Sequence, residues 1–582
     1  MVNFSKQMDP NSLDNALSIV PNTAVTTQYN YVEGSKNELV ITPTQNWLYN
    51  TAYTITLDST MTDTTGLAAP AVSSSFTTID MPPPEIIFAS PLNKDISRQT
   101  DKVILSFTKP MNPETFTKGT GVKIRKANFT ETYFGNGEDV APANYELQWS
   151  TDNTSCEIVF SDGLETVRAY EITLDSSVVA CEDQIHPAET FVGVFRVCPF
   201  ARGLGTEASP FEIASATDLI SISSHTYFYS RHYKQTEDVD LADYGSSYNG
   251  GEGFAPICSL NGGSYFTGVY NGNDKKISNL YINRNSDNQG LFGKIRNAKI
   301  HNLFLENVDI TTSNRYVGAL AGYTDSSEIR DVRVSGEIAA HYAVGGITGF
   351  ASDYNGLQSQ IIRCSAEVVI EPANSTSGYF GGIVGYLTTS LVSQCFTRVN
   401  IEGRYYLGGV VGHSQSAEIT DCQSEGRVFG NDSSAYVGGI LGCGGATTIS
   451  DCSSDAYNVT GDQRVGGIAG ELYNNSAVNN CVNNTVTLTG NVDVGRIVGH
   501  LADTTITNCY SREDSTVNGS VLAPDTIGIS TSGKHGANAS FESLTAESWW
   551  TDTVGWNLET IWEIDAKPIP TLIDVFIPGG FG

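Results

Sequence analysis

The chain has no apolar run approaching the ~18 residues that a membrane-crossing helix needs, so no such helix is expected. It is short of basic residues: 33 Lys+Arg stand against 64 Asp+Glu, a formal charge of −31. Phosphate-binding surfaces need clustered Lys and Arg, so nucleic-acid recognition is excluded. The zinc-peptidase pattern His-Glu-x-x-His, the nucleophile turn Gly-x-Ser-x-Gly and the phosphate-binding loop are all missing. The segment after Met1, VNFSKQMDP, has neither the basic stretch nor the apolar core of a secretion leader. Helical periodicity is scarce too, which points away from α and α/β classes. What the chain does have is 40% hydrophobic residues and 57 glycines in 582 residues, enough apolar side chains to build cores rather than a disordered chain.

Two long units open the sequence. FSKQMDP (4–10) is echoed by FTKPMNP (107–113), and AYTITLDS (52–59) by AYEITLDS (169–176). Each unit ends in an alternating run, SSSFTTI (73–79) or FVGVFRV (191–197), as half-buried antiparallel strands require. We therefore expect β-sandwiches over 1–79 and 80–198, joined at the Pro-rich MPPPE (81–85). The second unit has a long run before its FTKPM motif, PPPEIIFASPLNKDISRQTDKVILS (82–106), whereas the first has only Met1, Val2 and Asn3. The first unit is thus expected to lack its opening strand, either because the chain is shortened or because another subunit donates it.

These motifs resemble the bacterial immunoglobulin-like domain of S-layer type over residues 1–198. The resemblance implies a stalk or display module without catalysis.

A shorter repeat follows. Its core is a glycine-flanked apolar strand: QGLFG (289–293), VGALAG (317–322), VGGITG (344–349), FGGIVG (380–385), LGGVVG (407–412), VGGILG (437–442), VGGIAG (465–470) and VGRIVG (494–499). The closing glycines, Gly293 to Gly499, are 27–30 residues apart except for one interval of 36, which places an inserted loop at DYNGLQSQ (353–360). A period near 28 without helical segments predicts a parallel β-helix over 199–519, its glycines letting opposite walls approach. The usual connection between parallel strands makes it right-handed. Residues 520–582, with Trp549, Trp550, Trp556 and Trp562, read as the cap and tail that an open solenoid end requires, with a sugar-stacking platform as the alternative.

About ten residues after each glycine an apolar position recurs: Leu303, Val332, Cys364, Cys395, Cys422, Cys452, Cys481 and Cys509. Leu and Val share this place with Cys, so it calls for a medium inward side chain, and the thiols are expected to be buried and free rather than metal ligands. The polar residue just before it (Asn302, Asp331, Asp421, Asp451, Asn480 or Asn508) is expected to form a corner ladder. This pattern resembles the GLUG motif, and the resemblance covers about residues 203–570. It implies an extracellular protein of bacteria or archaea concerned with surface attachment.

The residues name no catalytic, metal or cofactor site, and ligand-binding residues stay unassigned. The position after each closing glycine (Lys294, Tyr323, Phe350, Tyr386, His413, Cys443, Glu471, His500) holds no stacked pair of carboxylates, as glycoside chemistry would need. His413 and His500 lie three coils apart, too far for one metal ion. No cofactor is expected; calcium at Glu237, Asp238 and Asp240 is open, with a solvated turn as the alternative. The whole is expected to be an all-β, non-catalytic protein of the cell surface, engaging a surface glycan or protein ligand. One rival is a fibre or sheath subunit that self-associates by strand donation, with IDVFIPGGFG (573–582) as donor. The other is a β-helix polysaccharide lyase or hydrolase.

Overall fold

In a computed structural model of the chain, residues 1–32, 36–79, 82–90, 95–96, 102–130, 137–180, 189–258, 264–373, 378–431, 435–564 and 569–573 are described. Alternation of apolar and polar residues builds the first sandwich. Its strands are β1 (Val2–Asn3), β2 (Leu17–Val20), β3 (Val25–Val32), β4 (Lys36–Pro43), β5 (Ala52–Leu57) and β6 (Val72–Thr77). They form sheets ordered β1-β4-β3 and β2-β5-β6. Met8, Leu13, Leu39, Leu57 and Met61 fill the space between them. A short helix, α1 (Pro10–Ala16), opens the way to β2 because Asp9 caps it, accepting from the Asn11 amide, and Pro10 sets its first turn.

The second sandwich repeats this plan with more strands. Its elements are β7 (Ile86–Ser90), β8 (Asp95–Ile96), β9 (Lys102–Phe107), β10 (Val122–Asn128), β11 (Glu138–Asp139), β12 (Tyr145–Trp149), β13 (Ser155–Phe160), β14 (Arg168–Leu174) and β15 (Phe191–Val197). The sheets run β11-β10-β14-β15-β8 and β12-β13-β9-β7. The shared motifs equate β1 with β9, β5 with β14 and β6 with β15. The strands that flank β9 and β15, namely β7 and β8, have no counterpart among the described residues of the first sandwich.

The second sandwich abuts the solenoid. Its Phe129 ring lies 4.9 Å from Tyr227 and 5.2 Å from Phe228. Behind them Phe200, Phe211, Phe228 and Tyr233 make an aromatic plug at the start of the coils. From 269 to 539 the chain winds through about nine turns of parallel β-solenoid. Three long sheets form its walls, of 23, 8 and 7 strands. The repeat VGGIVG makes the corner between the two smaller sheets. Here glycine is demanded twice over. A Cβ on Gly409 would lie 2.0 Å from Ser424 Oγ on the facing wall, and one on Gly412 would lie 2.5 Å from the Phe380 amide of the preceding coil. The closing glycine therefore answers to its neighbouring coil, and only the middle one to the opposite wall.

The cysteine column is buried and its thiols are free. Each thiol also donates to the carbonyl two residues back, Cys422 to Thr420 O at 3.1 Å and Cys452 to Ser450 O at 3.1 Å. That bond accounts for Cys where Leu or Val would pack as well. The residue before it takes a left-handed backbone in every coil, with φ between 51° and 56° at Asn302, Asp331, Arg363, Gln394, Asp421, Asp451, Asn480 and Asn508. Asn and Asp tolerate this conformation best, so the corner selects them first for backbone reasons. Side-chain bonds between coils follow: Arg363 to Asp331 at 2.7 Å, Asn480 to Asp451 at 3.1 Å and Asn508 to Asn480 at 3.0 Å.

The solenoid end is closed by Arg496, which takes the place of a glycine. It is fully buried and donates to His535 O, Gly536 O and Asn538 Oδ1. The tryptophan-rich tail does something else. It lies along the flank, where Trp550, Trp556 and Trp562 pack with the outward-facing Phe396 and Val482, and Trp549 packs on Tyr510. Trp556 Nε1 donates to Asn480 O at 2.8 Å. Trp550, Trp556 and Trp562 are at most 3% exposed, so the tryptophans are no sugar platform.

Burial under this tail, next to Asp451, pushes Asp421 up to about 6. A carboxyl whose folded value exceeds its unfolded one of about 3.9 costs stability as pH rises through that window. Asp421→Asn puts at this corner the residue that later coils carry. It is expected to raise the unfolding temperature at pH 7, by at most about 3 kcal/mol of stability, with the gain shrinking to nothing near pH 4. Calorimetry of both proteins from pH 4 to 7 checks this.

Candidate functional site

Parallel stacking puts equivalent residues of successive coils side by side, ~4.8 Å apart. The position after the closing glycine thereby becomes a column: Lys294, Tyr323, Phe350, Tyr386, His413, Cys443, Glu471 and His500 are paired in that order. Its middle is aromatic, with ring centroids 5.0 Å apart for Tyr323–Phe350, 5.1 Å for Phe350–Tyr386 and 4.9 Å for Tyr386–His413. A second aromatic column stands beside it on the 7-stranded sheet. Tyr379, Tyr406 and Tyr436 are register partners, and Tyr316 and Tyr342 extend the line. Cross-contacts join the columns: Tyr316–Tyr323 at 5.9 Å, Tyr379–Tyr386 at 5.4 Å and Tyr406–His413 at 5.0 Å.

The result is an outward-facing band of nine rings, half-buried by one another. Burial pushes the Tyr379 and Tyr406 hydroxyls up and brings His413 down to about 4, so the band is uncharged at neutral pH. His413 Nδ1 lies 3.0 Å from Cys443 O, and Tyr342 bonds Tyr379 through their hydroxyls at 3.1 Å. Cations mark both ends. Arg296 stacks on Tyr265 and Tyr354 at 3.8 and 4.1 Å, and Arg464 stacks on Tyr436 at 4.5 Å while pairing with Glu471. Such a surface offers flat π faces ringed by hydroxyls. The signal was present in the sequence as an aromatic seven residues before the post-glycine position (Tyr316/Tyr323, Tyr379/Tyr386, Tyr406/His413).

The carboxylates stack elsewhere. On the 23-stranded sheet Glu367, Arg398, Glu425 and Asp455 are successive register partners. Arg398, Glu425 and Asp455 border a cavity of about 490 Å³ with Val399, Asn400, Gly426 and Tyr457. Arg398 bonds Glu425 at 3.0 Å and lies 3.9 Å from Glu367. Burial, with the Glu425 charge adding to it, raises Asp455 above the usual carboxylate range. A stacked acidic pair, Glu425 and Asp455, is thus present at a register that the post-glycine column does not sample. Both carboxylates are engaged, Glu425 by Arg398 and Asp455 by three side-chain donors.

The remaining candidates take part in local hydrogen bonds. His413 and His500 stand three strands apart as expected, and His500 bonds Asp493 at 2.9 Å. Asp238 accepts from the Lys276 amide and Asp240 from the Asn279 side chain, both contributed by the neighbouring coil, and Asp240 also accepts from the Ala242 amide of its own turn. Of the expected donor tail 573–582, residues 574–582 lie outside the described residues.

Comparison with known proteins fits this architecture. Residues 1–78 match the family model of the bacterial Ig-like domain, residues 403–428 that of the GLUG motif, and residues 261–336 that of the M26 IgA1-specific metallo-endopeptidase N-terminal region. The chain is 28% identical over 309 residues to halomucin of Haloquadratum walsbyi, covering 51% of this chain and 3% of that protein. It is 35% identical over 127 residues to a protein described as a Gly-rich membrane protein of Evansella cellulosilytica, covering 21% of this chain and 14% of that one. The chain therefore spans a small part of either relative. A solved IgA1 protease aligns over 61% of this chain and 28% of its own at 16% identity, with a TM-score of 0.34 that is too low to carry an argument. The chain carries a bacterial Ig-like domain at its N-terminus and GLUG repeats wound into a β-solenoid.

Proposed function

We propose that this chain is a non-catalytic extracellular or cell-surface protein that attaches to glycans through the aromatic band of its solenoid. The observation that carries this reading is the band itself: nine rings in two adjoining columns, spaced by the coil repeat, on an exposed wall. Aromatic rings gain from contact with apolar faces and tyrosine hydroxyls serve polar rims, a pairing that suits sugar rings with their C–H faces and hydroxyl edges. The Ig-like units stand as the stalk. A glycan array identifies a binder, and titration then compares wild type with Tyr379→Ala/Tyr406→Ala. The double variant is expected to lose at least about tenfold in affinity, the equivalent of ~1.4 kcal/mol, while its circular dichroism stays unchanged. Equal binding by both proteins would refute the band as the site.

A second reading, polymerisation by strand donation, rests on the first sandwich. A groove of about 380 Å³ there is lined by Val2, Phe4, Met8, Met61, Leu67 and Val72. In the second sandwich the matching groove, beside Phe107, Met111, Leu174 and Val178, is bordered by Pro84–Ile86 of its own chain. There β8 also extends the sheet beyond β15, pairing Asp95 with Arg196. An extended segment of β7 type fits the first groove in the same way, and a neighbouring copy is the source that this reading requires. Light scattering of the chain, with and without a peptide of residues 82–96, is the test. Oligomers that the peptide dissolves support donation; a monomer that ignores the peptide rejects it.

A further inference from the structure

On three successive coils, Gln423, Asp455 and Asn484 meet beneath the tail, and we propose that they bind a calcium ion together with Ser453 and the carbonyl of Pro570. The site is independent of the aromatic band. Asp455 Oδ2 accepts from Gln423 Nε2 at 2.6 Å, while Oδ1 accepts from Asn484 Nδ2 at 2.8 Å and from Ser453 Oγ at 2.9 Å. Gln423 Nε2 also lies 3.4 Å from Pro570 O in the tail. Both amides thereby donate to one carboxylate, and Gln423 also to Pro570 O. Their own oxygens, Gln423 Oε1 and Asn484 Oδ1, are buried without a hydrogen-bond partner. The two residues are only 2% and 4% exposed, so bulk water does not compensate them.

A buried acceptor without a donor is costly, and two such oxygens flanking one carboxylate is not an arrangement that hydrogen bonds alone favour. A cation gives those oxygens a partner once the amides turn, their N–H groups then facing the side that the oxygens leave. An amide presents its oxygen and its nitrogen at nearly the same place, so half a turn of each side chain aims Oε1 and Oδ1 at the carboxylate. Without a positive charge that turn would set oxygen against oxygen. With one, the two Asp455 oxygens, two amide oxygens, the Ser453 hydroxyl and Pro570 O supply six ligands, the lower end of the ~6–8 oxygens that calcium takes. The ligands are hard and oxygen-only, which selects calcium over zinc or copper. Among the described residues no three His, Cys, Asp or Glu side chains converge to hold a metal; this site relies on neutral oxygens around one carboxylate.

Its surroundings agree. Glu425 stands on the coil next to Asp455, and Arg398 is shared between Glu425 and Glu367, so the neighbourhood carries net negative charge. The 490 Å³ cavity borders Asp455 and gives an ion its way in. Because Pro570 belongs to the tail and the other ligands to the coils, the bound ion would clamp one to the other.

The test uses the full chain, stripped with chelator and dialysed into calcium-free buffer. Calcium chloride is expected to raise the unfolding temperature by several degrees at constant ionic strength. Terbium, as a luminescent substitute, is expected to emit when the tail tryptophans are excited, and calcium to quench that emission by displacement. Asp455→Asn and, separately, Gln423→Met are each expected to abolish both responses. The Gln423→Met variant keeps the inference testable if loss of the carboxylate disturbs folding. An unfolding temperature indifferent to calcium, the same rise with sodium chloride at matched ionic strength, or responses that survive both substitutions would overturn it.

Discussion

Everything in the solenoid depends on the parallel backbone ladder that repeats one coil on the next at ~4.8 Å. A corner that close leaves no room for a Cβ: one on Gly412 would lie only 2.5 Å from the Phe380 amide. Once glycine secures that approach, the nearest neighbour of almost every residue is its own counterpart one period away. Side chains then act as columns rather than as individuals. One column is a thiol core, one a left-handed corner, one an aromatic band and one a run of charges. The same rule fixes what each column can hold: aromatic rings gain from their like neighbours, whereas stacked carboxylates need donors around them, as Glu367 and Glu425 have Arg398 and Asp455 has Gln423, Ser453 and Asn484.

Much of this was legible in the sequence, because a period of about 28 residues maps directly onto a coil. The strands, the glycine corner, the buried cysteines and the two related N-terminal units follow from patterns that a linear reading can align. The corner residue was read for its hydrogen bonds, yet Arg363 and Gln394 hold it too, and a shared φ near 53° explains all of them. The aromatic band was spelled out in the post-glycine column, but its other half sits seven residues earlier on a different sheet. Neither half is informative alone.

What stayed hidden has a common cause. The charged column lies on the long strands of the 23-stranded sheet, with Arg398, Glu425 and Asp455 each thirteen residues after a closing glycine and on a different wall from the post-glycine position. The network at Asp455 joins residues about 30 positions apart with a tail residue 147 positions beyond Gln423. The tail itself has no period. Its place on the flank is set by Phe396, Val482 and Tyr510, which face outward and need apolar cover, rather than by the open end that Arg496 already closes.

That placement has a mechanical meaning. A stack of coils pulled along its axis carries tension in series, so its weakest boundary gives way first and the rest unwind one turn at a time. The tail runs across several of those boundaries, touching Gln423 on one coil, Asn480 on a later one and Asn508 on the next. Load applied there is shared in parallel among the coils it bridges. Among the described residues the tail splints the coils from Phe396 onward and not the stretch from 269 to about 395, so under force the unsplinted coils are the ones that extend.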